Sequence, residues 1–335
     1  MHLVFRESHG LEEGAVPQDL GQSPGDLLVL SFSDSDLGAF AAGWQAPGLP
    51  SLRLANLAQL AHPLSVDTYV ERTAIHAKAI LIRLIGGPSY WSYGLSQMQR
   101  IARDHGIALA VLPADGREDA RLDKASTLPV PLLRTLSALC EQSGPTAAGQ
   151  ALHLLAKNAN LPDPFGSSEV EAQAPPPIPP VGAWNPACPA AFALTARAPI
   201  VLILFYRAYR VADDMAPINA LQTALEARGA TVLALHVPSL KAEDAQGWLH
   251  RWIAHLAPAA IVNATAFSAP LDTGGAPVFQ VALATSTRAA WVDAPRGLSP
   301  ADLAMHVVLP EVDGRLFAGV ASFKEDAPHD PILDF

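Results

Sequence analysis

Along the chain, short runs of consecutive apolar residues alternate with longer segments whose apolar positions recur every three or four residues. LLVLSF (27–32), LRLANL (52–57), AKAILIRLI (77–85) and IALAVLPAD (107–115) are the first four runs. None alternates apolar with polar, so both faces of each strand are expected to be covered, as in a parallel sheet sheathed by helices. Between them lie helix-like DSDLGAFAAGW, SVDTYVERTA and YWSYGLSQMQRIARDHG. Ser33 or Asp34 is the expected cap of the first, a Ser leads the second, and Gly106 stops the third. Residues 129–160 read as two further helices, PLLRTLSALCEQ and TAAGQALHLLAKNA.

The pattern breaks near residue 162. Ten of the 38 residues from 162 to 199 are proline, which removes amide donors and disfavours helix in the residue before it. This segment reads as a connector, partly polyproline-like. A second alternation follows: IVLILFY (200–206), APINALQTALEARG (216–229), TVLALHV (231–237), DAQGWLHRWIAHLA (244–257), AAIVNATAF (259–267) and PVFQVALAT (277–285). The expected architecture is α/β: two doubly wound, Rossmann-like or flavodoxin-like, mostly parallel-sheet units joined by a Pro-rich connector. The expected boundaries are 1–160, 161–198 and 199–335. Strands at 27–32, 79–85, 200–206 and 259–263 are expected to be central and buried.

Composition narrows the partners. A chain of 335 residues, 50% hydrophobic, can bury a large core, and its size suggests two domains. A net charge of −10 without a basic face argues against nucleic acid. No apolar run is long enough to cross a bilayer, and MHLVFRESHGLEEG lacks the basic start and apolar stretch of a signal peptide. Two cysteines, Cys140 and Cys188, are too few for a disulfide framework, so the expected compartment is the cytoplasm.

Open α/β sheets gather ligands at the carboxyl ends of their strands. Four such ends carry polar or aromatic groups. GGPSYWSYG supplies Tyr90 and Trp91, RAYRVADD supplies Arg207 and Asp213, NATAFSA supplies Asn263 and Thr265, and TSTR supplies Ser286 and Arg288. Glu7 and His9 are further polar groups expected beside the first sheet's carboxyl end. Each has a plainer reading. Gly-Gly-Pro is also a simple turn with aromatic packing behind it. RAYRVADD also reads as a solvated loop with an internal Arg–Asp pair. Asn263 and Thr265 can bond their own backbone, and Ser286 or Thr287 can cap a helix. Among the rings, Trp91 is expected to face a cleft and Tyr93 to pack.

Several chemistries are absent from the sequence. It has no G-x-x-x-x-G-K-[ST], so ATP hydrolysis is not expected of this chain. G-x-G-x-x-G does not follow the first strand, and no G-x-S-x-G elbow occurs. The eleven histidines are scattered, and His250 and His255 stand five apart, off a shared helical face. No metal ligand or catalytic residue is assigned.

The blocks MHLVFRESHGLEEG, SFSDSDLGAF, RLIGGPSYWSYGL, LFYRAYRVADDMAPINALQTALEARG, IVNATAFSA and RGLSPADLAMHVVLPEVDGR resemble the amino-terminal part of the large subunit of aerobic cobaltochelatase. That subunit belongs to the CobN and magnesium chelatase H-subunit family. GAWNP (182–186) departs mildly, with Trp184 where the family usually carries Tyr. Members run on far beyond residue 335, so the resemblance implies a truncated chain, a gene fragment or a split subunit. It further implies a scaffold that binds hydrogenobyrinic acid a,c-diamide and the cobalt(2+) to be inserted. ATP is then hydrolysed on other subunits, an AAA+ ATPase with a companion, and the rest of the large subunit is a partner. This chain alone would be inactive and hold no cofactor of its own. A flat macrocycle edged with carboxylates and amides suits stacking on Tyr or Trp and pairing with Arg. Two other readings stand beside it: a magnesium chelatase H subunit that binds protoporphyrin, and a non-catalytic ligand-binding or assembly module.

Overall fold

A computed structural model describes residues 16–114, 117–162, 177–184 and 199–325. Leu27–Ser31 (β1) is buried at every position, and a strand buried on both faces needs neighbours on both edges and helices on both sides. β2 (Leu52–Asn56) and β3 (Ala79–Leu84) flank it in parallel, and β4 (Ala108–Pro113) extends the sheet in the order β2-β1-β3-β4. Successive side chains point to opposite faces. Leu28, Leu30, Ile80 and Ile82 therefore enter one core, under α2 (Pro63–Arg72) and α3 (Ser92–His105). Leu27, Val29 and Leu81 enter the other, under α1 (Asp34–Ala42), α5 (Val130–Gln142) and α6 (Pro145–Asn158). A short α4 (Ala120–Ala125), unforeseen in the sequence, adds Leu122 to the first core.

Helix ends follow local chemistry. Ser33 caps α1, its hydroxyl accepting the Asp36 amide at 3.2 Å. Gly106 ends α3 in the left-handed region, φ 68°. α2 corrects the expected start at Ser65. Pro63 opens it two residues earlier and His62 caps it, Nδ1 accepting the Leu64 amide at 3.1 Å. Ser65 is buried inside the helix, where its hydroxyl accepts the Gln18 amide at 2.8 Å.

The second sheet is mostly parallel. β6 (Ile200–Tyr206), β7 (Thr231–Val237), β8 (Ala260–Asn263), β9 (Val278–Thr287) and β10 (Leu316–Lys324) run together, and β5 (Gly182–Trp184) pairs antiparallel with β7. The order is β10-β9-β8-β6-β7-β5. Leu202, Leu204 and Leu235 pack under α9 (Glu243–Leu256), while Ile203, Phe205 and Ala234 face the core that includes Ile218 of α8 (Ala216–Glu226). α7 (Arg207–Val211) follows β6 directly, so the start of RAYRVADD is helical and not a loop. α10 (Arg288–Asp293) and α11 (Pro300–Leu303) come next, and α11 runs on through Ala304–Val308 and Leu309–Val312.

β1, β3, β6 and β8 are interior strands, as the continuous apolar runs predict. The proline-rich segment differs from expectation. Gly182, Ala183 and Trp184 interrupt its prolines, and a proline-free apolar stretch can pair as an edge strand. Residues 163–176 and 185–198 of that segment lie outside the described residues. The described residues divide into two compact units, with the changeover between Ile178 and Pro179 and with Val211–Asp213 clustering with the first. Among the described residues, no helix is long and apolar enough to cross a membrane.

Leu81, 1% exposed on an interior strand, measures how much the first unit depends on its sheathed sheet. Leu81→Ala is expected to cost about 2–5 kcal/mol, read as a lower urea midpoint for the first unit's unfolding.

Candidate functional site

The candidate site is the carboxyl rim of each sheet. In the first unit β3 runs out into Gly86 and Gly87, at φ 78° and 83°. A side chain is strained at those angles, and there is no room for one. A Cβ on Gly86 would lie 2.7 Å from the Tyr90 ring, and one on Gly87 would lie 2.7 Å from Arg121 Nη2. The glycines thus admit groups of this same protein. Tyr90 is half-buried and meets Phe32 edge-on at 6.0 Å.

Trp91 corrects the expectation of a ring facing a cleft. It is 4% exposed, and its indole N–H donates to the Leu60 carbonyl at 2.9 Å. Gly94 explains the placement: a Cβ there would stand 2.0 Å from the indole, so the glycine leaves the space into which the ring folds. Tyr93 packs against the same core and donates to Asp67 at 2.7 Å, a bond that holds its phenol pKa above the ordinary value.

Other polar groups of this rim bind one another. Asp36 takes the Ser31 hydroxyl at 3.0 Å and pairs with buried Arg83 at 2.7 Å. Arg83 also reaches Glu141 at 3.2 Å, and Asn56 donates to Asp34 at 2.7 Å. Burial pushes the neighbouring Cys140 thiol up to about 11, so it stays protonated and unreactive at neutral pH. Glu7 and His9 lie outside the described residues.

In the second unit Asn263 and Thr265 are fully buried and tie strand ends together. Asn263 Nδ2 donates to Gln280 Oε1 at 2.7 Å, Gln280 Nε2 to the Thr265 carbonyl at 2.7 Å, and Thr265 Oγ1 to Asn263 Oδ1 at 3.0 Å. Arg315, buried against this amide cluster, donates to the Ala269 carbonyl at 2.7 Å and pairs with Asp313 at 3.2 Å. Tyr206 adds a bond to the Ala266 carbonyl at 2.8 Å. Such a closed network fixes the rim's shape, because each buried polar group has its partner.

The remaining candidates divide. Arg207 Nε donates to the Pro179 carbonyl at 3.1 Å, and His236 Nε2 lies 3.2 Å from the same oxygen. A carbonyl only accepts, so Nε2 carries the proton, and the bond holds the chain as it enters β5. Burial, opposed by the Pro179 bond and reinforced by Arg210 and Arg207, lowers the His236 pKa to about 4. Asp213 is exposed at φ 59° between α7 and α8. Thr287 caps α10, accepting the Ala290 amide at 3.2 Å. Ser286, beside it, buries a hydroxyl without a hydrogen-bond partner. Arg288 is exposed. One grouping escaped the sequence reading: Arg210 lies over the Trp184 ring at 5.6 Å, and the Trp184 indole donates to Asn219 at 2.8 Å. Trp184 hid inside the segment read as a connector; its signal was the proline-free GAW.

Among the described residues, no three of His, Cys, Asp and Glu converge as metal ligands. A cavity of about 270 Å³ lies at the opposite, amino ends of β3 and β4, lined in part by Lys78, Thr127, Asn158 and Asn160.

Fold and rims define a two-unit α/β scaffold whose strand-end polar groups mostly hold the protein's own chain and leave a few Arg and aromatic groups outward. Residues 137–333 match the family model described as CobN/Magnesium Chelatase. The chain is 38% identical over 359 residues to the aerobic cobaltochelatase subunit CobN of Sinorhizobium sp, covering 98% of this chain and 27% of that protein. It is 34% identical over 344 residues to the Pseudomonas aeruginosa protein of the same name, covering 97% and 27%. The chain belongs to the CobN/magnesium chelatase family. It spans about a quarter of the length of these curated relatives. A solved structure, the catalytic subunit of cobaltochelatase from Mycobacterium tuberculosis, shares the fold with a TM-score of 0.63 and 24% identity, over 87% of this chain and 24% of that one.

Two measurements check these roles. Trp91→Ala is expected to cost about 3–5 kcal/mol in unfolding free energy, as loss of a packed indole should. His236 protonates in the unfolded chain near 6.5 but stays neutral in the fold down to about 4. The unfolded state therefore binds the extra proton between those values, and stability falls as pH drops through that window, by up to ~1.4 kcal/mol per pH unit from this group. Above pH 6.5 it contributes no slope. His236→Gln should flatten that part of the stability–pH curve.

Proposed function

We propose that this chain is the amino-terminal portion of the large subunit of an aerobic cobaltochelatase, an enzyme of the ligase type that forms cobalt–nitrogen bonds. In this reading the whole subunit holds hydrogenobyrinic acid a,c-diamide while cobalt(2+), a substrate, is inserted at the cost of ATP. The observation that carries the reading is the identity of 38% and 34% to two aerobic cobaltochelatase CobN proteins across nearly the whole chain. Both are cobalt enzymes by name, which favours cobalt over the magnesium branch.

ATP hydrolysis then belongs to the AAA+ subunit and its companion, in keeping with a sequence that has no phosphate-binding loop. This chain's contribution is a stiff rim. Arg210 with Trp184, and Arg288, are the second unit's side chains offered to the macrocycle's edge. A guanidinium pairs with the macrocycle's carboxylates, and an aromatic face stacks on its plane. A reducing cytoplasm suits Cys140, a buried free thiol.

The test is reconstitution. The 335-residue chain alone should insert no cobalt. Supplying the remaining three quarters of the Sinorhizobium relative and the ATPase subunits should restore ATP-dependent cobalt insertion. Turnover with protoporphyrin and magnesium instead would favour the other branch. In the active mixture, Arg210→Ala should raise the macrocycle's KM about ten-fold, the loss of one charge-assisted hydrogen bond, with kcat little changed.

A further inference from the structure

Eleven large hydrophobic side chains are exposed among the described residues, and six of them gather in one part of the second unit. Val308, Leu309 and Val312 lie on the helical run that continues α11, at 52%, 38% and 77% exposure. Val308 and Val312 are one turn apart on one face. Leu316 and Phe317 begin β10, and Phe279 on β9 is the ladder partner of Leu316.

β10 itself is unlike an ordinary edge strand. No residue of β10 is fully buried, whereas five consecutive residues of its neighbour β9 are. Val320 and Phe323 in its later part pack against a small core with Trp291, and its first residues are left exposed. On its outer side no described strand pairs with it. Register shifts between Phe317 and Gly319, between Val320 and Ser322, and between Ser322 and Lys324 pucker the far part of the strand. Bulges and a terminal lysine blunt an edge against strand addition. Successive strand residues point to opposite faces, so Leu316 shares its face with its exposed ladder partner Phe279 while Phe317 lies on the other. The attachment point is thus the Leu316–Phe279 pair, next in the chain to the exposed Val308 and Val312.

We propose that this apolar face is where the remaining three quarters of the subunit dock, through an aliphatic surface of their own. The inference rests on reading the chain as part of a larger subunit. Both curated relatives extend over nearly four times the span matched here, and that mass needs a contact on this piece. A second copy of this chain is the weaker occupant, since two chains of net charge −10 repel. A patch of this kind left open is also an aggregation liability.

The test compares hydrogen exchange of this chain alone and mixed with a polypeptide covering the rest of the Sinorhizobium relative. Amides of residues 308–324 should slow about ten-fold or more on mixing, with those of β1 unchanged. Val312→Glu with Leu316→Glu should abolish the complex in gel filtration while circular dichroism of the chain stays as before. If that pair unfolds the chain, Val312→Ser alone, at the most exposed position, should still weaken the complex. A complex that protects other segments and leaves 308–324 unchanged overturns the proposal, and so does failure of the wild-type chain to form any complex. A dimer of the chain alone that Leu316→Glu dissolves assigns the face to a second copy and equally overturns it. Protection at 308–324 without cobalt insertion would leave the docking face standing and sink the functional reading.

Discussion

A parallel strand sheathed by helices on both faces has only its ends free. That constraint governs each unit of this protein. β1 is buried along its whole length, and the alternate side chains of β1 and β3 fill two separate cores. β6 divides its side chains between two cores in the same way. The interiors are sealed by Leu, Ile, Val and Ala, so contact with a ligand is confined to loops at the strand ends.

Those ends are themselves heavily committed. Asn263, Thr265, Gln280 and Arg315 bond one another and neighbouring carbonyls, and Asp36 with Arg83 does the same under the first rim. A buried donor or acceptor left open costs more than a bond gains, so a rim built from polar residues commits most of them to one another, Ser286 being an exception. The rim becomes stiff as a result. What the second unit's rim leaves outward is sparse: exposed Arg288, and Arg210 across Trp184. Such a rim suits a scaffold that presents a few fixed contacts within a larger subunit.

Much of the fold was legible in the sequence because its signals are local. Continuous apolar runs marked β1 to β4 and β6 to β9 within a few residues, and Gly106 marked the end of α3. The start of α11 also carries a local signal: Ser299 precedes Pro300, and its hydroxyl accepts the Asp302 amide. The candidate site was less legible because its contacts are distant in sequence. Trp91 is held by a carbonyl 31 residues away, and Asn263 by Gln280 seventeen residues on. No spacing rule connects those pairs: β8–β9 register joins Asn263 to Gln280, and the packing of the segments that follow β2 and β3 brings Leu60 to Trp91. Tyr93 packed as expected, while Trp91 went inward because Gly94 gave it room.

The proposed function requires that this chain, as part of a larger CobN-type subunit, help hold the macrocycle. The direct measurement is an absorbance titration of hydrogenobyrinic acid a,c-diamide with the remaining three quarters of the subunit, in the presence and absence of this chain. A saturating spectral shift that tightens about ten-fold or more when the chain is added is the predicted result. An identical titration curve with and without it would contradict the claim.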